Sequence, residues 1–367
     1  MRGHVRKRGS KWCFVVELPR INGKRTQKWY SGYDSQDEAE KEMIKILNEI
    51  NKGTLVIPDD STLKEYLESW LEGRTDELSP TTISGYKTII DKHLVPAIGD
   101  IKLSELKPLT IQRYYSRKEL SSRTLLHHHR LLRKALEDAR KWEMIYRNPC
   151  DLVNAPKPKN KFKGRVLDPD EIKELLAKLE KNDLYIPVVC LLSLGLRRGE
   201  LLGLKWTDID FINKTVSIQR NVVQTTNGDI IVKDPKNETS ARTLPLSDRV
   251  IKLLKKKKIE NKENQLLIKD YKDTGFIFTE PNGEIMNPRN FSHRFRYFIK
   301  HNNFEKLRLH DLRHTNATMM LSSGVPAKVA SKRLGHSNIS TTMDIYSHVL
   351  NELNLEATQK LEKKMFK

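Results

Sequence analysis

Residues 11–18 (KWCFVVEL) are crowded with β-branched and aromatic side chains, and 24–33 (KRTQKWYSGY) resume the same pattern. Between them, 19–23 (PRING) is turn chemistry, with Asn22-Gly23 a hairpin signal. Ser35-Gln-Asp-Glu38 then has the spacing of a capping box opening a helix that runs through about Lys52. A small sheet, three-stranded, plus one helix is expected over 1–58, with its two tryptophans, Trp12 and Trp29, among the core aromatics. Gly53 to Asp60, with Pro58, reads as a linker. From 61 to about 150 the spacing turns helical: Leu63, Tyr66, Leu67, Trp70 and Leu71 share a face, and Ser79-Pro80 supplies an N-cap followed by a first-turn proline. Ile98-Gly99-Asp100-Ile101 with Leu103 and Leu106 reads as a short connection, Ser122 to Trp142 as a long helix, and Asn148-Pro149 as its punctuation.

Residues 155–165 (APKPKNKFKGR) are proline- and lysine-rich with almost no apolar positions, which marks a second linker. Beyond it the pattern is mixed. Helices are predicted near 169–181, 184–205, 247–258, 288–302, 310–323, 326–334, 338–348 and 351–366. Strands are predicted near 214–220, 229–233 and 241–246, with Thr226-Asn227-Gly228-Asp229 as a hairpin turn. The last helix carries a stripe of Leu350, Leu353, Ala357, Leu361 and Met365, suited to packing on its own domain or docking on a neighbouring subunit. The fold class is therefore multidomain, mainly α with small β-sheets: a sheet-plus-helix unit at 1–58, a helical unit at 61–152 and a mixed α+β unit at 166–367.

Charge narrows the partner. The 367 residues include 67 Lys and Arg against 47 Asp and Glu, a formal excess of +20 spread along the chain. Such an excess suits a polyanion, whose counterions the lysines and arginines displace; the plainer alternative is a protein that is merely basic. Cys13, Cys150 and Cys190 are far apart, odd in number and form no CxxC, so neither a zinc ribbon nor a disulfide framework is expected. No apolar run approaches a membrane span, and the first residues (MRGHVR) lack the apolar stretch of a secretion signal, so a cytoplasmic protein with no membrane partner is expected.

Five short elements of the last unit carry chemistry. Gly195-Leu-Arg197-Arg198-Gly-Glu200 sits inside an apolar run, where an arginine pair is costly without an anionic partner. Glu200 would make it a structural ion pair, and a phosphate would make it a functional fork. Pro235-Lys236 precedes the strand Arg242-Thr-Leu-Pro-Leu246, where a lysine is ordinarily just solvated. His310-Asp-Leu-Arg313-His314 places His310 and Arg313 on one helical face. His336 follows Leu334-Gly335 as a cap would, and Tyr346, ten residues on, would by itself be core or surface. His310 and His314 with an acid between them also resemble an HExxH zinc helix, but Arg313 would set a fixed charge beside the metal, Asp is short for the base, and no third ligand is marked.

In order, Arg197, Lys236, His310-x-x-Arg313, His336 and Tyr346 resemble the active-site set of tyrosine recombinases, the family that includes phage and conjugative-transposon integrases. The pieces are GLRRGE, the PK before TLPL, HDLRH, LGHSNISTT and the tyrosine after them. Residues 61–152, with SPTTISGYKTIIDKHLVPAIGDIKLSEL and KWEMIYRNPC, look like the family's helical core-binding domain of SAM-like type, and 1–58 like its arm-type DNA-binding domain. The resemblance implies an integrase that cuts and rejoins double-stranded DNA through a covalent 3′-phosphotyrosine. Tyr346 would be nucleophile, Arg197 and Arg313 the phosphate clamps with His336 as a further donor. Lys236 would be general acid to the 5′ oxygen, and His310 general base or orienting group. It further implies a homotetramer on core and arm attachment sites in a bacterial cytoplasm, with an excisionase and a DNA-bending host protein as accessory partners. No cofactor, metal or ATP is expected, since the exchanged bond energy is kept in the phosphotyrosine and there is no GxxxxGK[ST]. The alternatives are a non-catalytic repressor on the same fold, which would form no covalent adduct, and a type IB topoisomerase, which would share the catalytic residues but not the N-terminal unit.

Overall fold

A computed structural model describes residues 3–21, 24–51, 61–117, 119–158, 164–234, 241–304, 306–336, 338, 339, 342, 343, 358, 362 and 364–366. The chain divides into two compact units, Met1–Lys161 and Phe162–Lys367.

The first unit opens with an antiparallel meander: β1 (Gly3–Arg8), β2 (Lys11–Ile21) and β3 (Lys24–Tyr33). Val5, Phe14 and Tyr30 line up across the sheet and, with Val16, pack on Ala39 and Ile50 of α1 (Gln36–Asn51). Ser35 Oγ accepts from Glu38 N–H (3.2 Å), but the Glu38 carboxylate accepts from Asp34 N–H (3.1 Å), not from Ser35, so the expected box is only half formed. Trp29 departs from expectation too. It is 44% exposed on the opposite face, with the Arg6 guanidinium 4.0 Å over its ring. Residues 52–60, the expected linker, lie outside the described residues.

The helical part comprises α2 (Leu63–Glu72), α3 (Pro80–Ile89), α4 (Val95–Ile98), α5 (Pro108–Tyr115) and α6 (Ser122–Lys141). Thr62 and Glu65 form a reciprocal capping box, and Ser79 caps α3 ahead of Pro80. Pro96 has no N–H to give, and just before it the ladder widens into a π turn over Ile90–Leu94. α2 and α6 are tied by long-range bonds: Tyr66 Oη donates to Ala135 O (2.5 Å), and Trp70 Nε1 donates to Asp138 Oδ2 (2.8 Å), which also takes Arg74 Nη1 (2.6 Å).

His128 of α6 is 1% exposed, with Nδ1 against Tyr114 Oη at 2.6 Å. Burial first, then the neighbouring His93 and His127, push it down to about 4. The unfolded chain, with histidine near ~6.5, therefore binds this proton more readily. Stability from this group is complete above ~6.5 and is lost as pH falls towards 4, about 3 kcal/mol in all. Urea midpoints of the full chain should fall between pH 7 and 5, and His128→Asn should flatten that slope.

The second unit holds α7 (Pro169–Leu179), α8 (Tyr185–Leu194), α9 (Arg198–Leu202), α10 (Asp248–Leu267), α11 (Pro288–His301), α12 (Leu309–Ser322) and α13 (Ala327–Leu334). Among the described residues its strands form two small antiparallel sheets. One runs β4 (Ile209–Asp210), β5 (Thr215–Ile218), β8 (Arg242–Pro245), and the other pairs β6 (Asn221–Gln224) with β7 (Ile230–Lys233). The core gathers α8, apolar at nearly every position, into one cluster with Phe276, Phe278, Phe291, Phe295 and Leu312.

Three sequence expectations are corrected. The helix expected over 184–205 is two helices, because Gly195 takes a left-handed φ of 64° and caps α8. The hairpin closed by 226–229 joins β7 to β6 rather than to the strand expected over 214–220, which ends at Ile218 and pairs with β8. α10 runs nine residues beyond the expected 258, helped by Asn261, whose amide donates to Ile277 O (3.0 Å). Most of the helices expected at 338–348 and 351–366, with Leu350, Leu353, Ala357 and Leu361 of the stripe, lies outside the described residues. Met365 is 68% exposed.

Candidate active site

Ending α8 at Gly195 brings Arg197 to the N-cap of α9 in extended conformation. There its N–H donates to Glu200 Oε2 (2.9 Å) and its Nη1 to Glu200 Oε1 (2.7 Å). Arg198 points elsewhere and donates to Ser292 Oγ on α11 (2.6 Å), so the sequence pair does not act as one fork. Glu200 is 5% exposed and also takes Arg242 Nη2 from β8 on Oε2 (2.9 Å), with Arg313 Nη1 4.0 Å away.

Arg313 lies on α12, 2% exposed, and its helix starts on Asp311, a fully buried carboxylate that accepts from Arg308 N–H (2.9 Å) and Nη2 (2.7 Å). Arg313 Nη1 donates to Gly195 O (2.7 Å) and Nη2 to Leu334 O (2.7 Å). Two more guanidinium groups reach the same helix end: Arg242 Nε donates to Arg333 O (2.7 Å) and Arg197 Nη2 to Gly335 O (3.0 Å). Three consecutive carbonyls at the α13 terminus thus hold three arginines. A helix end leaves its last carbonyls without intrahelical donors and carries partial negative charge, so cations settle there. Gly335 completes the terminus at φ 69°, where a Cβ would meet Arg242 Nη1 at 2.8 Å. His336 follows directly. Its N–H donates to Ser331 O (3.1 Å), and Nδ1 lies 2.8 Å from Oγ1 of the fully buried Thr342.

Three guanidinium groups face one carboxylate here, so the cluster carries surplus positive charge in a mostly desolvated setting. Glu200 is held below the usual range: burial opposes this, but the bonds and charges of Arg242 and Arg197 outweigh it. Arg313 is pulled down to about 9 by burial and then by Arg197. It is a cation short of anionic company. His336 is pushed down to about 4 by the surrounding protein and by Arg313 and Arg197, and His310 to about 4 by the surrounding protein, His314 and Arg313. Both are neutral at pH 7 and able to hydrogen-bond in either sense. His310 and His314 meet edge to face at 4.7 Å, while Asp311 is turned inward to Arg308. Among the described residues no group of three or more His, Cys, Asp or Glu could hold a metal ion.

Of the six residues singled out from sequence, Arg197, His310, Arg313 and His336 are described, and α12, α13 and the α8–α9 turn gather them. Lys236 and Tyr346 lie outside the described residues. Sequence reading missed Arg242, which looked like an ordinary strand residue, and Thr342.

The profile of the phage integrase family matches residues 165–352, that of the phage integrase N-terminal SAM-like domain 62–118, and that of the Arm DNA-binding domain 4–50. A tyrosine recombinase XerC-like protein of Caldanaerobacter subterraneus is 30% identical over 363 residues, covering 93% of this chain and 92% of its own. The chain belongs to the phage integrase family. Another relative of this integrase is the ICEBs1 integrase of Bacillus subtilis, 28% identical over 77% of this chain and 78% of its own. Its fold is shared with the Tn1549 transposon integrase solved with a circular intermediate DNA: TM-score 0.70 and 21% identity, over 82% of this chain and 99% of that one. Site-specific recombination is the activity these relationships carry. Among the described residues no helix is long and apolar enough to cross a membrane.

Proposed function

We propose that this integrase exchanges DNA strands through a covalent 3′-phosphotyrosine on Tyr346, with Arg197, Lys236, His310, Arg313 and His336 as the remaining catalytic residues. The observation that carries the reading is the surplus of guanidinium charge racked on the α13 terminus beside His336. A phosphodiester under attack gains negative charge on its non-bridging oxygens, and preorganised donors stabilise that charge most where water is excluded. The bonds shown use two of the five N–H donors on each of Arg197 and Arg313, and the others serve the phosphate. Tyr346 Oη attacks phosphorus and passes its proton to neutral His310. The 5′ oxygen leaves with a proton from the Lys236 ammonium, and religation reverses both transfers. One phosphodiester replaces another, so the exchange needs no ATP, and the arginines supply the positive charge a metal would bring.

The domains on this reading are an arm-type unit at 1–58, a core-binding unit at 61–152 and a catalytic unit at 166–367. Four chains act together on core and arm sites in a bacterial cytoplasm, with an excisionase and a bending protein setting direction, to integrate and excise a phage or mobile element. Incubation with a nicked core-site duplex should trap a protein–DNA adduct stable to denaturation, at equal yield in excess EDTA. No adduct on any attachment-site duplex would favour a repressor, and activity lost to EDTA and restored by zinc or magnesium would revive a metal role for His310 and His314.

A further inference from the structure

Arg242 is the arginine of the rack with no part in the chemistry proposed above. It opens β8, six residues after Lys236, and its side chain is 7% exposed. Committed to Glu200 through Nη2 and to Arg333 O through Nε, it ties together two things the clamp depends on: Glu200 beneath Arg197, and the last turn of α13 that carries Leu334 O, Gly335 O and His336.

We propose that Arg242 is a positioning residue that holds Glu200 and the α13 terminus in register, so that Arg197, Arg313 and His336 meet the scissile phosphate together. The inference rests on the recombinase reading and adds a residue to it. Glu200 Oε2 lies 2.9 Å from Arg242 and 4.0 Å from Arg313. A carboxylate released by Arg242 has Arg313 to close on, and a clamp arginine that grips Glu200 cannot give the same N–H to phosphate. Arg333 O would also lose its donor, and the terminus that seats the other two arginines would loosen. Lysine keeps the charge but not the planar fork that serves two acceptors in fixed directions, so it should rescue only in part.

The test uses the full chain with Arg242→Gln, Arg242→Lys, Glu200→Gln and the Arg242→Gln/Glu200→Gln double variant. Core-site DNA affinity, single-turnover adduct formation on the nicked duplex and melting temperature are measured for each. Losing a charge-assisted bond should slow adduct formation ~10- to 100-fold for Arg242→Gln. Arg242→Lys should be intermediate, and DNA affinity should stay within a few-fold of wild type. Because Arg242 acts through Glu200, the double variant should be no slower than the slower single one. Variants that cleave like wild type, rate losses that multiply in the double variant, or losses that merely follow weakened DNA binding would overturn the role of Arg242 alone. A wild-type chain that forms no adduct would instead overturn the recombinase reading, and this inference with it. Should Arg242→Gln fail to fold, Arg242→Lys, which keeps charge and most of the stem, carries the comparison.

Discussion

Tyr346→Phe should bind core-site DNA as wild type does and form no covalent adduct on a nicked duplex. Phenylalanine keeps the ring and removes the hydroxyl that would attack phosphorus. A phenol has a pKa near ~10 and is a weak nucleophile at neutral pH. It becomes competent where guanidinium charge favours the phenolate and a neutral histidine can take the proton. On the proposed mechanism the cluster around Arg197 and Arg313 would provide the first, and His310, neutral at pH 7, the second. The measurement is a denaturing gel of end-labelled duplex beside a mobility-shift titration. An adduct at wild-type yield would move the nucleophile to another hydroxyl.

Arg313→Ala and Arg197→Ala should each slow cleavage by at least ~100-fold, as removal of one transition-state donor does, yet differ in stability. Arg313 is 2% exposed and its loss strips donors from Gly195 O and Leu334 O, at about 1–3 kcal/mol for each acceptor left without a partner, so the variant should also lose folding free energy. The Arg197 side chain is 39% exposed and α9 can be capped by water in its place, so its variant should melt close to wild type. Stopped adduct formation and calorimetry on both separate the two effects. A rate within a few-fold of wild type would make that arginine structural.

Much of this site was legible in the sequence because its residues sit in short motifs whose local spacing survives folding. His310 and Arg313 share a helix, and His336 follows a helix-ending glycine. What the pattern hid is long-range. Arg242 meets Glu200 across 42 residues and Arg333 across 91, and nothing in strand alternation distinguishes a buried ion-pairing arginine from an edge residue. The apolar run over 184–205 looked continuous because a lone glycine is tolerated within a helical pattern; Asn316 and Leu334 pack beside Gly195 where it turns left-handed. β6 lies just past the strand expected near 214–220 and has no expectation of its own, because a run of alternating residues does not announce that the chain changes sheets between Ile218 and Asn221.

The acceptors that seat the three arginines are main-chain oxygens, which every residue type possesses. The bonds therefore do not depend on which side chain stands at 333, whereas the length of α13 cannot change. Removing one residue from the helix would turn its end by ~100° and draw it back ~1.5 Å, taking all three seats and His336 out of place at once. Across related chains the exposed positions between Pro326 and Leu334 should accordingly vary in composition, with Gly335 and His336 kept, while the length of the segment hardly changes, a constraint that residue-by-residue scoring would overlook.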